Sequence, residues 1–558
     1  MRWLAQPVLL TGILAIAGIL ANASQTYLSS QADNRPGIIK GNRLWNEKLG
    51  KYASSNLVFQ SLASLMQLKP NSKYPNGHSI VRAGIPAGTL LYHGSMTTNY
   101  RSRDWMAFDP EHAFIFALGS NGTLFTFTTT RELHFIYFDG CSANKDGGVV
   151  DTQDIFFWGD LRRTGNSILD EIARINDGCE WAKSHGIDGF IRMEWDFEIM
   201  YCDFSQGVEV VSAVRTNNGV PDQRQVHDLV LPATTSTTEQ LGGLRSSNAL
   251  YHGLGRDDFL MSKPPRNPVN RTTLIPPKGW KGTLPFTFLE SRHAGAWHND
   301  FPGELRVRVY PSTIISFFDP ALTSLVEARR SQKREDYRVG NISEPDIARV
   351  RADIAEMMSR DWSPGARGDV DWVGLAHVVQ DRFAYRLPYM HYLLHSPATN
   401  VSERLQVVRK QLVASLIPYM PRHDHIGTNV WFADTARGCA ESFTKALPVE
   451  RLTKQEILLK NAVDEVLHEI CRVYTEAWVD AFDAEGKSEE VLTGFMHEWS
   501  GQFDELMEWL DWPVWTKCDP ACGPDEYCLL PQLKWWWWFG AEPTCVSMDD
   551  ETYSPQSV

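Results

Sequence analysis

Leu90-Leu91-Tyr92-His93-Gly94-Ser95 is the stretch on which the reading of this chain turns. A short apolar run that ends in a histidine and a glycine is how a strand can carry a polar group to the lip of a pocket. Around it, from about Ser79 to Arg215, short strands alternate with a few helices. Strands are expected at 88–93, 105–108, 123–129, 133–138, 189–193, 198–203 and 208–214. The clearest is Thr123 to Thr129, where Leu124, Thr126 and Thr128 alternate with Phe125, Phe127 and Thr129, a period of two. Helices are expected from Pro110 to Leu118, with Asp109 as N-cap and proline in the first turn, and from Ser167 to Ser184, closed by His185-Gly186. Many short strands with few helices point to an α+β class, with a small twisted, antiparallel-rich sheet, rather than a doubly wound parallel sheet.

Outward from this region the character changes twice. Asn46 to Gln67 carries apolar residues at helical spacing, and Pro70 to Gly77 reads as a loop. Residues 216–245 are rich in Thr, Ser, Asn and Gly and read as a linker. Residues 246–342 are rich in proline and aromatics, with one clear strand from Leu305 to Tyr310, and suggest a β insert or lid. Beyond 343 two capping boxes, Ser343-Glu344-Pro345-Asp346 and Thr453-Lys454-Gln455-Glu456, introduce helical periodicity. It runs through 345–359, 371–386, 402–417, 454–483 and 488–511 and predicts a helical bundle. The expected order is a mixed α+β domain over 24–220, a linker over 221–245, the insert over 246–342, the bundle over 343–512 and a disulfide-rich tail over 513–558.

The chain has 558 residues, too many for one ordinary core, and its balance of 43% hydrophobic and 22% charged residues is that of a folded protein. A net charge of −14 argues against nucleic acid or an anionic membrane surface as the main partner. At the start, Arg2, an apolar run from Leu9 to Leu20 and the small residues of Ala21-Asn22-Ala23 read as a signal peptide cleaved near Ala23. No other segment is long enough for a stable membrane span. The expected location is therefore extracellular. Sequons at Asn121, Asn270, Asn341 and Asn400 fit that compartment. So do nine cysteines, which should mostly pair there. Cys179 with Cys202, and Cys439 with Cys471, are the natural guesses. Cys518, Cys522, Cys528 and Cys545 suggest a two-disulfide mini-domain, which leaves Cys141 as the odd thiol.

The opening stretch, with its strand ending in His93-Gly94-Ser95, resembles the first motif of the ADP-ribosyltransferase fold, in its diphtheria-toxin and poly-ADP-ribose-polymerase branch. Met106-Ala107-Phe108 followed by Asp109 to Ala117 looks like that family's second motif, a strand leading into a short helix with a stacking aromatic. Glu198-Ile199-Met200-Tyr201-Cys202-Asp203 resembles the third, a strand opening on the catalytic glutamate. The resemblance covers about 120 residues, from 89 to 215. It implies NAD as substrate, cleaved through an oxocarbenium-like state. His93 would bond a ribose hydroxyl, Gly94 and Ser95 would border the nicotinamide, and Phe114 or Phe116 would stack on it. Glu198 would stabilise the developing charge. The family's stacking residue is usually tyrosine, so phenylalanine here is a departure. Trp105-Met106-Ala107-Phe108-Asp109-Pro110-Glu111-His112-Ala113 and Gly189-Phe190-Ile191-Arg192-Met193 also look like a group of secreted fungal proteins of uncharacterised function.

Two other groups bear on function. Trp535 to Trp538, followed by Phe539, put four tryptophans in the cysteine-rich tail, where they either stack on sugar rings or pack the tail against the bundle. His423-Asp424-His425, with His293 and His298 elsewhere, lacks a third ligand at metal spacing and reads as surface loop. The sequence thus points to a secreted glycoprotein with an active or degenerate ADP-ribosyltransferase-like domain. The alternative is a non-catalytic secreted binding or effector protein that meets a carbohydrate or a protein on a host surface.

Overall fold

In the computed structural model the described residues are 43–144, 148–161, 168–216, 298–362, 368–397, 400–422, 425–530 and 543–547. The signal-peptide stretch, Asn270, His293, His423-Asp424 and Trp535–Trp538 lie outside them. From Trp45 onward the chain forms one compact unit. It begins with helices α1 (Ser55–Ala63) and α2 (Leu68–Lys73). The sheet follows with β1 (Ser79–Ile85), β2 (Leu90–Ser95), β3 (Asp104–Ala107), helix α3 (Pro110–Phe114), β4 (Thr123–Thr129) and β5 (Leu133–Phe138). Helices α4 (Asp151–Trp158) and α5 (Ile168–Lys183) lead to β6 (Gly189–Met193), β7 (Phe197–Tyr201) and β8 (Val208–Arg215). Short strands β9 (Arg308–Val309) and β10 (Ile315–Ser316) complete it.

The strand order is β10-β1-β5-β6-β7-β3-β2-β4-β8, with β9 also on β1. Every pairing is antiparallel except β5 with β6. A parallel pair needs a long crossover, and the segment holding α4 and α5 supplies it. The class is α+β: a curled mixed sheet with helices, followed by a helical region and a disulfide-bearing tail.

The two faces of the sheet bury different material. One carries Leu91, Phe125, Phe127, Phe197, Ile199 and Tyr201 into a core continuous with the bundle residues Trp372, Val379, Val463 and Phe503. The other packs Ile136, Phe138, Phe190 and Met200 against Ile155, Ile175 and Val350. The bundle itself holds α6 (Thr323–Arg329), α7 (Glu344–Ser359), α8 (Trp372–Phe383), α9 (Arg386–His395), α10 (Val401–Leu416), α11 (Asn429–Glu441), α12 (Lys454–Phe482) and α13 (Glu489–Leu510). The Thr453 capping box has both reciprocal bonds, so the longest helix starts where its sequence says. At Ser343 only half forms: the serine accepts from Asp346 N–H, and the Asp346 carboxylate turns to Ser324 instead.

Several expectations need correction. The helix expected over Asn46–Gln67 is confined to Ser55–Ala63, because Gly50 and the exposed Tyr52 precede it and Met66 takes a left-handed φ of 60° that ends it. Part of the expected Pro70–Gly77 loop is helical. The strand expected from Leu305 to Tyr310 pairs only at Arg308–Val309, because the chain turns through Pro311–Thr313 to place β10 on the same edge of β1.

Four disulfides are present: Cys179–Cys202, Cys439–Cys471, Cys518–Cys528 and Cys522–Cys545. The last two clamp a hairpin of β11 (Glu526–Leu529) and β12 (Thr544–Ser547). Cys141 is free and buried, its Sγ donating to the Asn71 carbonyl, and burial pushes its thiol well above the ordinary range. Among the described residues no helix is long and apolar enough to cross a membrane. Asn121, Asn341 and Asn400 are exposed. Asn400 also caps α10 through its Oδ1, which leaves its nitrogen free for a glycan.

Candidate functional site

Strand register decides where the expected catalytic pair goes. Tyr92 stands opposite Ala107, and Ala107 stands opposite Glu198. Directly paired residues share a face, and neighbours along a strand point to opposite faces. Tyr92 and Glu198 therefore lie on one face and His93 on the other, with β3 between their strands. His93 is buried in the bundle-side core, its ring against Phe125 and Phe204, and its Nδ1 donates to the Trp105 carbonyl at 2.7 Å. The expectation that His93 and Glu198 share a cleft is thus overturned: one intervening strand and one step of parity separate them.

The companions divide in the same way. Gly94 shares the Glu198 face, where a Cβ would stand 1.9 Å from the Ala113 carbonyl oxygen. It is glycine because α3 lies directly upon it. Ser95 Oγ donates to the Asn99 carbonyl at 2.8 Å and closes a surface turn. Phe116 stacks with Trp195 and lies beside His112, on the Glu198 side. Phe114 is half-buried on α3.

What the structure gathers around Glu198 is a buried ionic layer. Arg192-Met193-Glu194-Trp195-Asp196-Phe197-Glu198 alternates charge with apolar residue through the β6–β7 hairpin. All four charges are inside: Arg192 is 1% exposed, Glu194 2%, Asp196 0% and Glu198 7%. Arg192 Nε donates to Glu198 Oε1 at 2.8 Å, and its Nη groups reach Glu171 and Gln153. Glu171 also takes Arg174, which extends to Asp154 at 2.7 Å. Burial opposes the Arg192 charge, but Glu171 and Glu198 outweigh it and hold its pKa above the usual arginine range. His112 of α3 meets Glu194 and Glu198 in this layer. Burial drives its imidazole down to about 4, so it is neutral at ordinary pH.

A second corner adjoins the hairpin. Asp196 Oδ1 accepts from Phe197 N–H at 2.7 Å and from His298 Nδ1 at 3.0 Å. His298 Nε2 faces Glu304 at 3.1 Å, and Arg306 joins Glu304 to Asp109. The Asp109 and Asp196 carboxyls lie close together, and each keeps a buried Oδ2 without a hydrogen-bond partner. Burial raises the Asp196 pKa to about 7 despite the opposing pull of His298. Burial works against a charged His298, but the bond and charge of Asp196, with Glu304 and Asp109, outweigh it and raise the imidazole pKa. Asp109 moves the other way: Asp196, Arg306 and His298 overcome its burial.

The donor sets Asp109–Asp196–His298 and His112–Glu194–Glu198 have the composition of metal ligands. In the first, His298 already faces Asp196 and the Arg306 guanidinium already holds Asp109. In the second, the Arg192 guanidinium already holds Glu198. Of two further sets among the described residues, Cys518–Cys522–Cys545 is consumed by disulfides, and His391–His395–Asp504 lies apart on the helices.

A pH dependence follows. The unfolded values are about 3.9 for Asp and 6.5 for His. Between about 4 and 7 the folded chain holds a proton on Asp196 that the unfolded chain has lost, so stability falls as pH rises. The raised His298 adds stability that is full below 6.5 and is lost as pH climbs through its folded value. Asp109, with its lowered pKa, acts only near and below pH 4. The urea midpoint of the parent relative to Asp196→Asn is expected to decline from pH 5 to pH 8, because the lowered His112, which acts in the opposite sense below 6.5, is present in both proteins and cancels in the comparison. An equal slope in the variant would refute the assignment.

Fold and site together define a disulfide-bearing α+β protein with a charged inner layer. Residues 47–123 and 118–244 match the family described as YPL277C N-terminal domain. Two relatives come from Saccharomyces cerevisiae. The uncharacterized protein YOR389W is 29% identical over 249 residues, covering 34% of this chain and 37% of that protein. The uncharacterized protein YPL277C is 29% identical over 250 residues, covering 34% of this chain and 48% of its own length. The chain thus spans less than half the length of either relative. No solved structure matches it. These matches support an uncharacterised fungal protein family and carry no ADP-ribosyltransferase resemblance.

Proposed function

We propose that this chain is a secreted recognition protein that binds carbohydrate, with the mixed domain as its scaffold. The observation that carries the reading is a stripe of tyrosines on α9. Tyr385, just before α9, and Tyr389 and Tyr392 on it are 87%, 43% and 62% exposed, whereas most other large aromatics among the described residues are buried or half-buried. Their spacing puts them on one side of the helix. The Tyr389 and Tyr392 rings lie within 13° of parallel, with centroids 6.3 Å apart. Exposed flat phenols offer an apolar face for a sugar ring and a hydroxyl for its polar edge, at low entropic cost. Exposed aromatics grouped in this way mark interaction surfaces. Against NAD cleavage stands the opposite facing of His93 and Glu198, with Glu198 held by Arg192.

Two measurements test this. Purified protein is expected to release no nicotinamide from NAD, and release by the parent would restore the transferase reading. On insoluble chitin, β-glucan and cellulose, the parent should be retained by at least one. Tyr385→Ala/Tyr389→Ala/Tyr392→Ala should weaken retention at least tenfold. A parent that passes through all three polysaccharides overturns the proposal. A triple variant retained as well as the parent removes the tyrosine stripe, and replacing Trp535–Trp538 with alanine then asks whether the tail binds instead.

A further inference from the structure

We propose that His391, His395 and Asp504 form a surface site for a divalent transition-metal ion of the zinc class, clamping α9 to α13. The site does not rest on the carbohydrate reading. His391 and His395 are one turn apart on α9, so their rings stack, with centroids 4.0 Å apart and 21° between planes. Asp504 rises from α13 between them. Its Oδ1 is 3.3 Å from His391 Nε2, and its Oδ2 is 3.0 Å from His395 Nε2. The three side chains are 46%, 40% and 45% exposed, with Asp504 Oδ1 the covered atom of the set.

The ring orientation suits an ion. His395 Nδ1 lies 2.9 Å from the His391 carbonyl oxygen, which only accepts, so Nδ1 carries the proton and Nε2 is the atom turned toward Asp504, 3.0 Å away. Asp504 Oδ1 is covered and without a hydrogen-bond partner beside His391 Nε2.

The spacing fits such an ion. Zinc binds His nitrogen at about 2.0–2.1 Å and carboxylate oxygen at about 2.0–2.2 Å, so tetrahedral neighbours stand roughly 3.3–3.5 Å apart. The observed 3.0 and 3.3 Å need only a small opening of the site. The bond from His395 Nδ1–H to a backbone carbonyl is the outer contact that orients a metal-bound histidine. Two imidazoles and one carboxylate suit zinc, cobalt, nickel or copper, whereas calcium and magnesium select oxygen ligands.

The test uses the full chain after chelation. Titration with Zn²⁺ by calorimetry, and with Co²⁺ by visible absorption, is expected to show one site with dissociation constants at or below about 10 μM. Ca²⁺ and Mg²⁺ at millimolar concentration should not compete. His395→Ala and Asp504→Asn should each weaken Zn²⁺ binding at least tenfold while leaving far-UV circular dichroism unchanged. His423→Ala/His425→Ala, at the other close histidine pair, should bind as the parent does. Absence of Zn²⁺ binding below 100 μM, equal competition by Ca²⁺, or unchanged binding in both helix variants overturns the site. Loss of binding in the His423/His425 variant alone does so as well.

Discussion

Arg192→Met is expected to destabilise the protein by about 3–5 kcal/mol, read as a lower urea midpoint at pH 7. Arg192 occupies the middle of a buried chain of alternating charge, Asp154–Arg174–Glu171–Arg192–Glu198. Every side chain in it is nearly withdrawn from water, so none can be rehydrated when its partner leaves. Deleting Arg192 strands Glu198 beside Glu194 and the neutral His112. Glu171 keeps Arg174. The penalty is the desolvation of an unpaired buried carboxylate, which exceeds what the pair contributed when intact. Glu198→Gln should cost less, about 1–3 kcal/mol, because the amide oxygen still accepts from Arg192 and Glu171 still balances the charge. Because the two side chains touch, the costs should not add: Arg192→Met/Glu198→Leu should be less destabilised than the sum of its single changes. An Arg192→Met cost under 1 kcal/mol would mean that the layer is wetter than its burial implies. This result also bears on function, since it assigns Glu198 to holding the sheet together.

How much of this was legible depended on the range of the determining contact. The β4 strand could be read because one of its faces is buried and the other is not: Phe125 and Phe127 are inside while Leu124, Thr126 and Thr128 are half-covered. The Thr453 cap could be read because all its partners lie within four residues. Strand β1 gives no such signal, since Ser79 to Ile85 is buried on both sides and includes Arg82. No period of two survives when both faces are covered. The site failed for a related reason. His93 and Glu198 come from recognisable segments, but their facing depends on β3 inserting between them, through pairings as distant in the chain as Ala107 with Glu198 and Asp104 with Tyr201. The alternation Arg192, Glu194, Asp196, Glu198 was in plain view and marks one face of a hairpin. A charged face is ordinarily the solvent face, and only the tertiary cover of α3, α5 and His298 makes it an interior. Asp109 stands at the N-cap position and its carbonyl accepts from Ala113 N–H, yet its carboxylate makes no cap bond and instead faces Asp196 and Arg306.

Opening Cys439–Cys471 should be the second largest loss, and it should fall on the other half of the molecule. The bridge ties α11 to α12 across a sequence separation of 32 residues. A loop of that length removes about 3.5–4 kcal/mol of chain entropy from the unfolded state in the simple loop-closure account. Both sulfurs are buried in the core that joins bundle to sheet, so the double variant Cys439→Ala/Cys471→Ala also loses packing. Its urea midpoint is expected to fall by the equivalent of about 3–5 kcal/mol, with nicked or extended α11 as the first site of proteolysis. The Cys179–Cys202 bridge closes a shorter loop, with a sequence separation of 23, between α5 and the end of β7, so Cys179→Ala/Cys202→Ala should lose only a slightly smaller entropic share. What separates the two is location. The Cys179–Cys202 bridge anchors α5, the helix that carries Glu171 and Arg174, so its removal should couple measurably to Arg192→Met. Removal of Cys439–Cys471 should be additive with Arg192→Met, because no side chain is shared. Strong coupling between Cys439–Cys471 and Arg192 would mean that sheet and bundle unfold as one block governed by their common core. Additivity would show that the two halves, though packed together, keep their stabilising interactions apart.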